Sequence, residues 1–591
     1  MSYLKTLSIK KICKSAFLLV LVLMAHRSFS QPASWQWAKS TAGNDSNNTF
    51  AVVTNQANAV ATDVAGNVYE VGAFQSAKLS FGTDTVFNTD TSSVTSDIYL
   101  VKYDAAGNVL WARSAGGTSN DGALSVATDR LDNVYVSGFF HSTTLSFGTD
   151  TLRDTGVYND IFVAKYNASG NLLWVKGTTG GVGPNDNIAM AVDFSGNVFV
   201  TGSLSMTTFV FAGDTLTGSV SDILLLKYGT DGNEIWVRRG VGDEINTGSS
   251  VTTDPSGNVY IAGIFTAPVM TFDTIALHMI PDSADAYAIY LVKYDAAGNL
   301  LWAKADNNSV DIPSVFVVAD SSGNVYLSGS YRLFSGSTLS FGTDAVLLNN
   351  NIFLAKYGAA GNVIWAKSYC PYSDVTASAI TVDVLGNIYL SGHFGGTITF
   401  VSDTLWNAGN SSLGVPIFND AVIFKFDSNG NGLWATSIGG SRDDNATGIT
   451  TDISGNLYIC GYFNSSTLAF GAHTITDNNA PDTTFESGPF FPFLAKYGNA
   501  NTGIKHINTT QPDVTVYPNP VINNPLTVSI PSGLYSNIII YNTCGIQVYN
   551  TDIIVTETTK QINLPGLSAG VYYLKAIGSD HCSTVPFVIN H

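Results

Sequence analysis

Apolar and polar positions along this chain form a block that is written seven times. In its clearest version an apolar stretch runs into Thr62-Asp63, a short turn Val64-Ala65-Gly66-Asn67 follows, and a second apolar stretch opens at Val68-Tyr69. The same turn returns at Asp129/Asn133, Asp193/Asn197, Asp254/Asn258, Asp320/Asn324, Asp383/Asn387 and Asp452/Asn456, at intervals of 61 to 69 residues. Self-similarity at such a period marks a repeat architecture and outranks any local signal. Short apolar runs bounded by residues that tolerate positive φ predict strands joined as hairpins.

Each unit continues in a fixed order. A variable segment follows the first hairpin, often containing Leu-Ser-Phe-Gly-Thr-Asp, as at Leu145 to Asp150. A second hairpin then closes the unit, as in 160–166, the turn Ala168-Ser169-Gly170-Asn171, and 172–176. Both hairpins are apolar almost throughout, the pattern of sheets covered on both faces. Four antiparallel strands per unit, repeated radially, predict blades of a β-propeller. One Trp strand belongs to each unit, at Trp37, Trp111, Trp174, Trp236, Trp302, Trp365 and Trp434. Trp37 precedes the first hairpin, and the seventh unit ends at Tyr497 without a Trp strand. The N-terminal strand 35–40 is therefore expected to complete the last blade, latching the ring and removing its free edge.

The fold expected is all-β: a seven-bladed β-propeller over residues 31–497, a polar linker at 498–512, and a small C-terminal β-sandwich, Ig-like, at 513–591. Short alternating strands in the tail, such as Leu526-Thr527-Val528 and Asn537-Ile538-Ile539, carry the last expectation.

The ends give the address. Lys5, Lys10, Lys11 and Lys14 precede the apolar run Ala16 to Ala25, which is too short to span a bilayer, and small residues Ser28 and Ser30 follow. Residues 1–30 read as a signal peptide, and no later stretch reads as a transmembrane helix. Its removal leaves 22 basic residues against 45 acidic ones, a field that repels nucleic acid and anionic lipid. Cys544 and Cys582 share the tail and could pair in an oxidising compartment, whereas Cys460 reads as a small buried hydrophobe.

Two resemblances follow from these residues. The Asp-x-x-Gly-Asn-Val-Tyr-Val-x-Gly hairpin, with the later Asp-Ile-Phe-x-Ala-Lys-Tyr and Gly-Asn-x-x-Trp elements, resembles the bacterial β-propeller repeat (SBBP) family from about Trp35 to Tyr497. It departs at Asp132, which replaces the turn glycine, and at Pro492 in unit seven. The tail motif Tyr517-Pro518-Asn519-Pro520, the central Tyr541-Asn542-x-x-Gly545 and the late Leu567-x-x-Gly570-Val571-Tyr572 resemble the type A C-terminal sorting domain of the type IX secretion system. That resemblance implies handling by the type IX machinery and passage across the outer membrane to the cell surface or medium.

Candidate chemistry is sparse. The turn aspartates Asp63, Asp129, Asp193, Asp254, Asp320, Asp383 and Asp452 could ring calcium, but one carboxylate per unit is far short of the roughly 6–8 oxygens calcium takes. Turn hydrogen bonding is the expected role, and no cofactor is expected. Asp427-Ser428-Asn429-Gly430 starts like an EF-hand loop and lacks its closing Glu, so it too reads as a hairpin turn. Lysines repeated in every unit (Lys102, Lys165, Lys227, Lys293, Lys356, Lys425, Lys496), and bases two after most of the Trp residues, are expected to pair with the repeated aspartates. Asp-Thr-aliphatic triplets at Thr85, Thr151, Thr215, Thr274 and Thr404 resemble an O-glycosylation acceptor, with an Asp-initiated turn as the expected structure. Trp406 breaks the repeat inside the insertion 406–418, and loops on a rigid scaffold usually carry binding, so it is the candidate ligand-binding residue. Loops 279–286 and 476–489 are its companions. Scattered histidines show no metal spacing and no nucleophile elbow is present. The expected function is a non-catalytic binding, adhesion or scaffold module for surface glycans or proteins; the alternative is an extracellular lyase or hydrolase acting on polysaccharide.

Overall fold

A computed structural model describes residues 33–43, 53–498 and 514–589, apart from the segments 91–93, 155–158, 179–187, 205–207, 218–221, 245, 280–286, 308–310, 333–337, 343, 348–349, 372–373, 410–417, 477–488, 520, 522–524, 531–534, 543–546, 554–555, 565–566, 569 and 578–581. Residues 1–30, expected as a signal peptide, the expected linker beyond Gly498, and Cys544 lie outside the described residues. The chain divides into two compact units, 1–500 and 501–591.

Every regular element among the described residues is a β-strand. The first repeat runs Asn55–Thr62, Val68–Phe74, Asp97–Tyr103 and Val109–Ala115, each hydrogen-bonded antiparallel to the next. We call these strands A to D. The same order recurs in 121–177, 189–241, 246–307, 311–371 and 374–438. The last repeat takes A, B and C from Asp444–Thr451, Leu457–Phe463 and Phe491–Gly498, and its outer strand is Ser34–Ser40 from the N-terminus. Strands B and C are buried at nearly every position, as their unbroken apolar sequence requires.

The A strands pack side by side in chain order, and the A strand of repeat seven packs on that of repeat one. Hydrogen bonds cross each of these junctions. Asn58 Nδ2 donates to Ala123 O at 2.8 Å, Ser125 Oγ to Met190 O at 3.4 Å and Ser203 Oγ to Asn246 O at 3.1 Å. Val317 N donates to Ser250 Oγ at 3.1 Å, Ser314 Oγ to Ala377 O at 3.1 Å and Thr451 Oγ1 to Val382 O at 3.5 Å. Thr447 Oγ1 then donates to Ala57 O at 2.7 Å, joining repeat seven to repeat one.

The N-terminal strand serves two repeats. Trp35 and Lys39 lie opposite Tyr497 and Leu494 in repeat seven, and the next short strand, Ala42–Gly43, pairs with Ser80 and Leu79 in repeat one. Trp35 is buried, edge-on to Phe470 and Tyr497 with ring centroids 5.2 Å away in both cases.

The tail forms a three-stranded and a four-stranded antiparallel sheet. Leu526, Val528 and Ile562 from one meet Ile538, Ile540, Leu574 and Phe587 from the other in one core.

Candidate functional site

One end of the repeat array carries the A–B and C–D turns, and there every unit solves the same problem. Asp63 Oδ1 accepts Asn67 N at 2.8 Å, while Oδ2 accepts Asn67 Nδ2 at 2.7 Å and the Tyr69 hydroxyl at 3.1 Å. Asp129, Asp254, Asp320, Asp383 and Asp452 repeat these three bonds, and Asp193 keeps the two from Asn197 because Phe199 replaces the tyrosine. Burial opposes ionisation of Asp129, but donors from Asn133, Leu131 and Tyr135 outweigh it and hold the carboxyl below its ordinary range. Carboxylates so fully engaged are turn-formers. Asp132, the departure from the turn glycine, sits at φ 58, a conformation that Asp tolerates better than most residues. The EF-hand lookalike is such a turn as well: Asp427 Oδ1 accepts Asn429 N and Asn431 N at 2.9 and 2.8 Å.

The repeated lysines lie against these aspartates, with Nζ 3.5 Å from Asp63 Oδ2 for Lys102 and 3.6 Å from Asp254 Oδ2 for Lys293. Each also donates onward: Lys102 to Ala168 O, Lys165 to Thr230 O, Lys227 to Ala296 O, Lys293 to Ala359 O. Lys496 of repeat seven donates to Ala105 O of repeat one at 3.1 Å, where Trp37 Nε1 also arrives at 3.3 Å. Three of the bases after the Trp residues depart from the expected carboxylate pairing in their hydrogen bonds. Arg113, Arg238 and Lys367 donate instead to the turn carbonyls of Gly170, Gly298 and Asn429, because the neighbouring turn brings its backbone within reach of each D strand.

The opposite end carries the B–C and D–A connections, and there the repeats differ. Trp406 closes the hairpin strand Asp403–Trp406, opposite Thr397, and is 68% exposed. The next residue, Asn407, is buried and holds the base of the insertion. Its Nδ2 donates to Phe394 O and Phe418 O at 3.1 and 2.9 Å, and its Oδ1 accepts Gly409 N at 2.8 Å. Ala408 N donates to Asp420 Oδ2 at 2.8 Å. The insertion core 410–417 and most of the two companion loops lie outside the described residues.

Beneath this loop are buried acids. Burial pushes the Asp420 carboxyl up to about 6 and raises that of Asp444 well above its ordinary range, the Ser465 hydroxyl only partly offsetting it. Asp444 Oδ2 accepts Ser465 Oγ at 2.8 Å and Gly440 N at 2.7 Å. His393 in the adjacent B strand is held below its usual range by burial, against the pull of Asp374 and Asp443. Among the described residues no group of three or more His, Cys, Asp or Glu is placed to hold a metal ion. Asp420 lies directly over Gly439, where an added Cβ would fall 2.1 to 2.5 Å from the carboxyl atoms. Gly439→Ala is therefore expected to destabilise the chain by at least about 2 kcal/mol through overpacking, read as a lower urea midpoint.

Two of the hairpin aspartates preceding the Thr triplets are anchors: Asp84 Oδ2 accepts Ala112 N at 3.0 Å and Asp403 Oδ2 accepts Ala435 N at 3.1 Å. Thr85, Thr151, Thr215, Thr274 and Thr404 are exposed beside them.

In the tail, Tyr517 is exposed and precedes a cis peptide bond to Pro518, and Asn519 Oδ1 accepts Val588 N at 2.9 Å. Gly570 opens the strand Gly570–Ile577, and buried Tyr572 donates to Ser568 O at 2.9 Å and stacks near Phe587. Pro520 and Gly545 lie outside the described residues. The motif thus ties the first and last strands of one small core. Residues 515–590 match the family described as the secretion system C-terminal sorting domain. The tail is a sorting domain. It directs type IX export to the cell surface or medium, so the machinery of that system handles this chain.

Residues 433–466 match the family described as the beta-propeller repeat, spanning the D strand of repeat six and the first hairpin of repeat seven. The chain carries propeller-like repeats ahead of its sorting domain. It is similar to an uncharacterized WD repeat-containing protein of Acanthamoeba polyphaga mimivirus, 24% identical over 69% of this chain and 35% of the relative. It is also similar to the regulatory protein FlaEY of Caulobacter vibrioides, 31% identical over 23% of this chain and 14% of the relative. Both relatives are thus spanned over well under half their length. Among solved structures, the extracellular domain of a one component system from B. thetaiotaomicron aligns over 93% of this chain and 99% of that one, at 12% identity and TM-score 0.17. A xylan beta-1,4-xylosidase from Bacillus halodurans aligns over 76% and 98%, at 8% identity and TM-score 0.23. Likenesses this faint leave both fold and activity to this chain's own residues.

Proposed function

We propose that the seven sheets are blades of one closed propeller, latched by the N-terminal strand, and that the chain acts outside the cell as a non-catalytic binding module. Residues 1–30 are its signal peptide, 31–497 the propeller, 498–512 a linker and 513–591 an Ig-like export domain. Support for closure comes from the hydrogen bonds at all seven junctions, those from Thr447 and Lys496 to repeat one included. The site is the hairpin face around Trp406, and its ligand class is surface glycan.

The observation that carries this reading is a 68% exposed Trp held on a clamped hairpin, off the structural Trp series. An exposed indole offers a flat apolar face to a pyranose ring, and the surrounding Thr397, Thr399 and Thr404 supply hydroxyls. Asp420 accepts the Ala408 amide at the base of the same loop and Asp444 is held by Ser465 and Gly440; both are buried and offer no face to a substrate, which supports binding over hydrolysis.

A glycan array and a cell-surface binding assay on the full chain test this. Trp406→Ala is expected to weaken binding more than tenfold, the size of a roughly 2 kcal/mol hot spot. No binding by either form would sink the glycan reading and leave a protein-adhesin or scaffold role.

A further inference from the structure

Repeat one duplicates the arrangement around Trp406. Its hairpin strand Asp84–Phe87 ends on Phe87, opposite Lys78, just as Asp403–Trp406 ends on Trp406 opposite Thr397. Phe87 is 65% exposed, nearly as open as Trp406. The residue behind it is again a buried Asn. Asn88 Nδ2 donates to Phe74 O and Thr95 O, both at 3.0 Å, and its Oδ1 accepts Asp90 N at 2.8 Å. Thr89 N reaches Asp97 Oδ2 at 2.6 Å, as Ala408 reaches Asp420.

The support below is duplicated too. Asp97 lies over Gly116 as Asp420 lies over Gly439, and Asp121 accepts Ser142 Oγ at 2.7 Å as Asp444 accepts Ser465. Elsewhere the position of Phe87 and Trp406 is filled by Arg153, Thr217, His278, Leu347 and Thr476. Two repeats therefore combine an outward aromatic ring with an Asn–Asp clamp that fixes the hairpin under it.

The two platforms differ in their cross-strand neighbour. Trp406 faces Thr397, a hydroxyl, whereas Phe87 faces the exposed ammonium of Lys78, with Thr85 and Ser80 alongside, their hydroxyls 3.3 Å apart. An aromatic face beside a cation and hydroxyls matches a sugar ring that also carries a carboxylate. We infer that Phe87 and Lys78 form a second glycan platform, equivalent to that of Trp406 but selective for uronic-acid residues. This rests on the reading of Trp406 as a glycan-binding residue, since the clamp and the exposed ring are what the two places share.

The test is calorimetric titration of the full chain with hexagalacturonate and with cellohexaose, in the wild type and in the Phe87→Ala, Lys78→Gln and Trp406→Ala variants. All three residues are at the surface, and unchanged melting midpoints check that the variants fold. The expected result is at least tenfold weaker hexagalacturonate binding for Phe87→Ala and Lys78→Gln, with the Lys78-dependent part fading at high salt. Wild-type affinity for hexagalacturonate in both variants overturns the second platform. If Trp406→Ala loses its array ligands while Phe87→Ala loses nothing, the second platform falls alone. If no form binds any glycan, both readings fall.

Discussion

A chain lacking residues 33–43 is expected to lose its cooperative unfolding transition and to associate in solution. The deletion strips repeat seven of its outer strand, so Phe491–Gly498 becomes an open edge that other chains can pair with. It also removes Trp35 from the core it shares with Phe470, Phe493 and Leu468, and Trp37 from its contact with the Gly107 turn of repeat one. Removing one buried Trp side chain costs about 3–5 kcal/mol, and the lost strand pairing adds to it. The total approaches the roughly 5–15 kcal/mol that holds a typical domain together. Trp35→Ala alone should show the smaller part of this loss. Urea unfolding followed by size-exclusion chromatography checks both forms, and a truncated chain that stays monomeric with an unchanged midpoint would show the strand to be dispensable.

The second large effect concerns Glu70. It lies in strand B of repeat one, 1% exposed, where the other repeats place Val136, Val200, Ile261, Leu327, Leu390 and Ile459. The Tyr99 and Tyr103 hydroxyls donate to it at 2.8 and 3.2 Å, and Cys460 of repeat seven lies in the same apolar cluster as those two tyrosines. Burial pushes its carboxyl from 4.5 up to about 7, the two tyrosines only moderating the rise. A carboxyl whose folded pKa is raised stabilises the fold fully below its unfolded pKa and loses that contribution as pH climbs to about 7. At pH near 8, Glu70→Gln should therefore be more stable than the wild type by about 3 kcal/mol, and near pH 4 the two should coincide. Asp121 and Asp306, raised to about 7 and about 6, titrate in both forms, so the difference between them isolates Glu70. Denaturation midpoints at the two pH values provide the check, and a constant difference would contradict the assignment.

Much of the array is legible in the sequence because it is said repeatedly. Turn aspartates, apolar B and C strands and the displaced Trp37 strand each recur or are conspicuously missing, so the order of strands in each repeat and the repeat that lacks its outer strand can be counted before any contact is seen. What the chain says once is harder to read. Glu70 is a single polar letter in an apolar strand, and nothing nearby in sequence reveals that its strand packs against repeat seven. Asn88 and Asn407 look like ordinary loop residues until the hairpin brings two strand ends within reach of one amide. Phe87 is one of 32 phenylalanines and stands in no motif. Its signal was available in the alignment of hairpin ends, where it shares a position with Trp406. The basic residues after the Trp series misled for a related reason, since charge suggests a carboxylate partner while the neighbouring turn supplies carbonyl oxygens.

Single-particle imaging of the full chain counts the repeats around the array and locates its N-terminus. The expected result is a closed ring of seven blades in which Ser34–Ser40 lies beside Phe491–Gly498. An open arc, a different number of blades, or an N-terminal strand detached from repeat seven would contradict it.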